Sequence, residues 1–284
     1  MQGGASLQFA AVAQNLCTGL SRAAYIDTGI WSRLAIEEAQ KFCIVDVLAS
    51  GAEAALNTHW ALDKSYDYLH CTPNETIDGI AFDRVPDLGG TPIVADMSSC
   101  LMSAPIDVNH YGLIYAGTQK NLGPAGLTVV IVRDDLLKRA PDKLATQLQY
   151  RAHAKAGSIL NTPPTFAVYA LHAMLQWVGS EGGLSAMAER NAQKAQRLYG
   201  FIDASDFYSN FVDPGCRSKM NIPFACPSEH LDGLFLEKAQ AAGLLNLKGH
   251  RLIGGMRASL YNAIELEAVE ALIDFMKIFE AKHG

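Results

Sequence analysis

The chain has 284 residues, 49% hydrophobic and 18% charged, enough apolar content for one large core or two unequal ones and too much for a disordered chain. Lysine and arginine total 23 against 29 aspartate and glutamate, a formal charge of −6, so a broad basic nucleic-acid surface is excluded and any anion site has to be built locally. Six scattered cysteines without a Cys-x-x-Cys pair read as reduced thiols, eight histidines show no metal-ligand spacing, and no apolar run is long enough for a bilayer, so a soluble cytoplasmic protein without structural zinc is expected.

Gly3-Gly4-Ala5-Ser6 leads into a predicted helix with Phe9, Val12, Ala13 and Leu16 on one face. Ala24-Tyr25-Ile26 reads as a short strand, followed by a helix whose apolar stripe carries Trp31, Leu34, Ala35 and Phe42. Tyr66 to His70 is the next predicted strand, and the polar stretch Thr72-Pro73-Asn74-Glu75-Thr76 follows it. Pro92 to Ala95 is another strand, ending on Asp96. The runs 113–116 and 127–132 read as two buried strands around a Gly/Pro-bounded turn that holds Lys120. Helical spacing then dominates, first through Phe166, Ala170, Ala173 and Trp177, then through Leu184, Met187, Asn191, Ala195 and Leu198. A small α/β tail closes with an amphipathic helix through Leu266, Val269, Leu272, Ile273, Met276 and Phe279. Alternating strands and helices predict an α/β fold with a mostly parallel sheet covered on both faces. The change of character places a large domain over 1–186 and a small C-terminal α/β domain over 187–284.

Thr76, Asp96 and Lys120 fall at the C-terminal ends of predicted strands, the edge at which open α/β sheets bind ligands. Singly, each has an ordinary reading: a turn threonine, a capping aspartate, a solvated loop lysine, and for Trp31 a core position. Together they fit one chemistry. A lysine that forms a Schiff base with pyridoxal phosphate needs a carboxylate against the pyridine nitrogen, an aromatic cover for the ring and a hydroxyl for its phenolic oxygen. Backbone N–H groups at the helix start, from Gly3 to Ser6, suit the cofactor phosphate.

The ordered segments GGASLQF, TPNETIDGI, ADMSS, YAGTQKNLGPAG, NTPPTF, KGHR and GGMRASLYNA resemble the phosphoserine aminotransferases, class V, fold-type-I pyridoxal-phosphate enzymes, from Gly3 to Gly284. The resemblance implies Lys120 as the Schiff-base lysine, Asp96 on the pyridine nitrogen, Trp31 stacked on the ring and Thr76 on the phenolic oxygen. It also implies Gly4, Ala5 and Gln119 around the cofactor phosphate, with Asn161 and Thr162 reaching the partner subunit's cofactor phosphate across a homodimer. Arg257 would clamp the substrate α-carboxylate, and His250 and Arg251 the substrate's own phosphate. The implied reaction moves an amino group between glutamate and 3-phosphohydroxypyruvate in serine biosynthesis. A phosphorylated hydroxy-threonine of pyridoxine biosynthesis is a second implied substrate. Lys120 would act as a general base with a depressed pKa, favoured by the cofactor nitrogen and Arg257.

One departure from the family pattern is expected to matter: the chain starts almost on its Gly-Gly-Ala loop, without the upstream segment that carries part of the small domain and a His-Arg pair. A truncated, non-catalytic homologue that keeps the fold and the cofactor site therefore stands as an alternative reading. A class V cysteine desulfurase is a weaker one, because Gln119, and not histidine, precedes Lys120 and no cysteine sits in a matching Gly/Ser-rich loop.

Overall fold

The computed structural model describes residues 1–18, 21–57, 59–82 and 88–284. Its centre is a six-stranded sheet built from β1 (Arg22–Asp27), β2 (Ile44–Ser50), β3 (Leu69–Cys71), β4 (Ile93–Asp96), β5 (Leu113–Gly117) and β6 (Thr128–Val132). The spatial order is β2-β1-β3-β4-β5-β6, and every pair is parallel except β5 with β6. The predicted mostly parallel α/β architecture is what forms. The antiparallel β6 follows from its connection, because the short turn between the two strands has no room for a crossover.

Successive residues in a strand face opposite sides, and the two buried clusters of this sheet divide accordingly. Tyr25, Val94, Leu113 and Tyr115 join Phe9, Val12 and Leu16 of helix α1 (Ser6–Leu16) on one side. Ile26, Ile93, Ala95, Ile114 and Ala116 pack on the other with Trp60, Leu122 and Cys216.

Helices α2 (Ile30–Ala39) and α3 (Gly51–Leu56) fill the early part of the chain, and α4 (Tyr150–Lys155), α5 (Thr165–Ser180) and α6 (Gly183–Ala204) follow the sheet. A second sheet pairs β7 (Asn221–Phe224) with β8 (Met256–Ser259) in antiparallel register. With α7 (Glu229–Ala241), α8 (Leu266–His283) and the C-terminal half of α6 it encloses a third buried cluster, containing Leu198, Ile202, Phe224, Phe235, Met276 and Phe279. The boundary expected near residue 186 falls in the first turn of α6.

Four local expectations change. Helix α2 ends at Ala39, so Phe42 lies beyond it, and both Leu34 and Phe42 are exposed. The strand expected over 66–70 pairs only from Leu69 to Cys71. Strand β6 is only partly buried, since it pairs on one side alone, and β2 is an edge strand that the periodicity does not reveal. Helix α5 forms, but the stripe read as its core face is only partly covered: Phe166 is 74% exposed and Ala173 exposed, Ala170 and Trp177 are half-buried, and Ala167 and Val178 are the buried positions. Among the described residues no helix is long and apolar enough to cross a membrane.

Candidate active site

Strands β4 and β5 end side by side, with Asp96 opposite Tyr115. After Gly117 the chain turns through Thr118 to Gly126 before returning as β6, and Lys120 rides on that turn. The turn is tied down at both flanks. Thr118 Oγ1 donates to the carbonyls of Pro124 and Leu127, and Asn121 Nδ2 donates to Leu101 O at 3.1 Å. These bonds explain how a long cation occupies one place: the backbone under it is held by side chains that the chain itself supplies.

Lys120, Asp96, Trp31, Gly4 and Ala5 line one cavity, together with Gln119 and Thr72. Lys120 Nζ lies 5.5 Å from the centre of the Trp31 ring. Asp96 Oδ1 accepts from Ser98 N at 2.9 Å and from Ser98 Oγ at 2.6 Å. Burial pushes the Asp96 carboxyl upward, and the Ser98 hydrogen bonds and the Lys120 charge work against that rise. Burial likewise pushes the Lys120 amine down from its ordinary value, with Asp96, Cys100 and Glu75 pulling the other way. The sequence reading credits Arg257 with part of the depression; desolvation is the leading cause and Arg257 a minor one.

Trp31 and Thr76 meet directly, the indole Nε1 donating to Thr76 Oγ1 at 2.9 Å. Behind them sits Glu75, fully buried, a residue that sequence reasoning passes over although it lies between Asn74 and Thr76. Its carboxylate caps the start of α2, accepting from Trp31 N at 3.1 Å, Ser32 N at 2.8 Å and Ser32 Oγ at 2.9 Å. Burial first, and the neighbouring Asp78 charge last, hold the Glu75 carboxyl up at about 7 against those hydrogen bonds. Thr72 is another residue missed: its buried Oγ1 has no partner among the described residues, and Thr72 lines the cavity.

Arg257, on β8, reaches across from the second sheet. Its Nη1 donates to Thr76 O at 2.9 Å, and its Nε is buried without a partner among the described residues. The remaining expected residues are not gathered here. Asn161 lines a separate cavity with Met1, Tyr150 and Pro164, and Thr162 O accepts from Gln2 Nε2. His250 and Arg251 sit in the loop before β8; His250 Nδ1 accepts from Leu252 N at 3.4 Å, and Arg251 is exposed.

The family model described as aminotransferase class-V matches residues 1–272. The chain belongs to the aminotransferase class-V family. Within it, a phosphoserine aminotransferase of Hahella chejuensis is 50% identical over 289 residues, covering 100% of this chain and 80% of the relative. The solved phosphoserine aminotransferase from Bacillus circulans subsp. alkalophilus superposes with a TM-score of 0.97 at 43% identity, covering 100% of this chain and 80% of that one. A phosphoserine aminotransferase from Trichomonas vaginalis, solved with pyridoxal phosphate bound, gives 0.91 at 37% identity, covering 98% and 81%. The class-V fold of this aminotransferase thus extends over the whole chain, both sheets included.

Proposed function

We propose that the chain is a pyridoxal-phosphate-dependent phosphoserine transaminase, moving an amino group between glutamate and 3-phosphohydroxypyruvate to give 3-phosphoserine and 2-oxoglutarate. The observation that carries this reading is the convergence in one cavity of the Lys120 amine, the Trp31 indole and the buried Asp96 carboxylate. The names of the relatives support the substrate.

The donor set fits pyridoxal phosphate. At the start of α1, the N-cap Ala5 and the preceding Gly4 present backbone N–H groups without intrahelical partners, which suits a phosphate. Asp96 would hold the ring nitrogen, Trp31 one ring face, Thr76 the phenolic oxygen, Gln119 the phosphate and Lys120 the aldehyde carbon. When bound, the cofactor supplies an electron sink for the substrate carbanion. Asn161 and Thr162 would act on the cofactor site of a second copy. That arrangement is supported by their separation from Lys120 in one protomer and by the open apolar face of α5, and we read the protein as a homodimer with a two-domain protomer on these grounds.

The chain's own groups account for the proton work. Desolvation favours the neutral amine of Lys120, so it can take a proton from the substrate α-carbon and return it to the acceptor carbon. Arg257 has one nitrogen engaged on Thr76 O and keeps its unpartnered Nε for the α-carboxylate, where a planar guanidinium makes paired hydrogen bonds. The Trp31–Thr76 bond closes one wall and keeps the ring in place over Lys120.

Purified protein mixed with pyridoxal phosphate should turn yellow, and borohydride reduction followed by peptide mapping should mark Lys120. Glutamate and 3-phosphohydroxypyruvate should then give 3-phosphoserine. A label on Lys155 or Lys248 overturns the assignment of the lysine; equal rates with phosphorylated and unphosphorylated keto acids overturn that of the substrate.

A further inference from the structure

Behind Asp96 the sheet holds a row of polar aromatic side chains that the transamination chemistry leaves without a task. Asp96 pairs with Tyr115 across β4 and β5, and Tyr25 pairs with His70 across β1 and β3. His70 lies opposite Val94, two residues before Asp96, so all four face the α1 side of the sheet. Tyr25, His70 and Tyr115 are no more than 1% exposed. His70 Nε2 is 2.9 Å from Tyr115 Oη, and Tyr115, directly opposite Asp96 in the sheet, works against the burial that raises the Asp96 carboxyl. Tyr25 stacks on the imidazole at 4.8 Å between ring centres and shares a 2.8 Å hydrogen bond with Tyr68. His70 Nδ1 is buried and has no partner among the described residues.

That last atom fixes the direction of the row. A neutral imidazole has one donor and one acceptor, and a phenol has one proton to give. Were Nε2 the acceptor, Tyr115 would give it that proton and turn bare lone pairs toward the carboxylate, while an Nδ1–H was stranded in the core. With the proton on Nε2, Tyr115 accepts from His70 and donates to Asp96, and the one unmet group is an Nδ1 lone pair. The second arrangement satisfies every donor. Burial keeps the imidazole neutral down to about 3, so the choice of tautomer holds across the working pH range.

We propose that Tyr115 and His70 are positioning residues for Asp96, forming a one-way hydrogen-bond chain, His70 Nε2–H to Tyr115 Oη–H to the carboxylate, that holds Asp96 ionised and aimed into the cavity. A carboxylate at the end of a buried strand needs such donors, because Ser98, its hydrogen-bond donor among the described residues, serves Oδ1 alone. The other titratable groups whose charge bears on Asp96 are Lys120 from the turn after β5, Cys100 after β4 and Cys71, on the opposite face of β3; the two thiols stay neutral because burial raises both. The proposal rests on reading Asp96 as the partner of the cofactor nitrogen, and its test is arranged to separate the two.

Nitrogen and carbon NMR of the cofactor-free protein should place the His70 proton on Nε2. In the same protein Tyr115→Phe should move the Asp96 carboxyl titration up by about one pH unit, roughly tenfold in proton affinity, the worth of one hydrogen bond to a charged group. His70→Gln, whose amide N–H can still donate to Tyr115, should keep most of the wild-type value, and His70→Leu should lose it. With pyridoxal phosphate bound, Tyr115→Phe should also move the pH midpoint of the cofactor absorbance. A proton on Nδ1, read in the unmutated protein, overturns the proposal, as does an Asp96 titration unchanged in a folded Tyr115→Phe. A shifted Asp96 titration in a protein whose cofactor spectrum ignores Asp96 upholds the chain of hydrogen bonds and overturns the cofactor reading instead.

Discussion

Arg257 and Arg251 carry the same charge six residues apart and meet different surroundings. Arg257 is half-buried, anchored on Thr76 O, with an unpaired Nε; Arg251 is exposed in the loop before β8. Every amino or keto acid substrate has an α-carboxylate, so Arg257→Ala should weaken both half-reactions. One lost charge-assisted hydrogen bond is worth about 1.5–3 kcal/mol, or roughly tenfold or more in kcat/KM. Arg251→Ala should slow the phosphorylated substrate and leave the glutamate half-reaction nearly untouched. Single-turnover measurement of each half-reaction decides this, and equal losses for Arg251→Ala on both sides would remove it from the phosphate site.

At the scale of an element, α2 owes its start to a residue 45 positions away. Glu75 takes the N–H groups of Trp31 and Ser32, and its neighbour Thr76 takes the Trp31 indole, so consecutive residues of one loop grip consecutive residues of the helix. The cap matters for stability as a function of pH. The Glu75 carboxyl titrates at about 7 when folded against an ordinary 4.5, a raised value. The folded state therefore binds a proton more tightly than the unfolded chain. Its contribution is fully present below 4.5 and is lost as pH rises through about 7. The shift corresponds to roughly 3 kcal/mol. Urea unfolding at a series of pH values should show wild type losing stability relative to Glu75→Gln between those limits; a constant difference between the two proteins would show that the carboxyl is not raised. The amide keeps an oxygen for the α2 N–H groups, so the variant should fold.

Across the whole molecule, the loop 72–82 is the seam between the two sheets. Asn74 bonds Ser99 beside β4 and Asn221 on β7, Ser218 N donates to Gly79 O at 2.8 Å, and Arg257 closes on Thr76. Gly79 has a φ of +71° and a Cβ there would meet Pro223 at 2.5 Å, so the approach of the loop to β7 depends on its missing side chain. Lys194 organises, from α6, the edge of the cluster around the second sheet. Its Nζ donates to the carbonyls of Leu260, Tyr261 and Ile264 at 2.9–3.0 Å, matching the three N–H bonds of an ammonium, although burial and Arg190 push its pKa down to about 8. Lys194→Met should leave three carbonyls without that donor and destabilise the protein by about 2 kcal/mol or more, measured by thermal or urea unfolding. A change within 0.5 kcal/mol, the scatter typical of surface positions, would mean water replaces the amine.

Periodicity and residue type, both local, were enough for β1, β3 to β6 and the longer helices in order, for the mostly parallel sheet, and for the placing of Asp96 and Lys120 at strand ends, but not for β2. Side-chain direction alternates along a strand whatever surrounds it, and a Gly/Pro-bounded turn is a turn in any context. Three ordered motifs carried Lys120, Asp96 and Thr76 to one chemistry and the family resemblance added Trp31; the structure puts Lys120, Asp96 and Trp31 around one cavity with Thr76 bonded to Trp31. Burial and hydrogen-bond partners depend instead on what arrives from elsewhere in the chain. Arg257 and Thr76 are 181 positions apart, and His70 and Tyr115 are 45. No spacing pattern announces such pairs. Glu75 as a helix cap, the His70–Tyr115–Asp96 row, the open face of α5 and the desolvation of Lys120 were therefore decided by tertiary packing, which alone determines which polar groups leave water and which neighbours they find there.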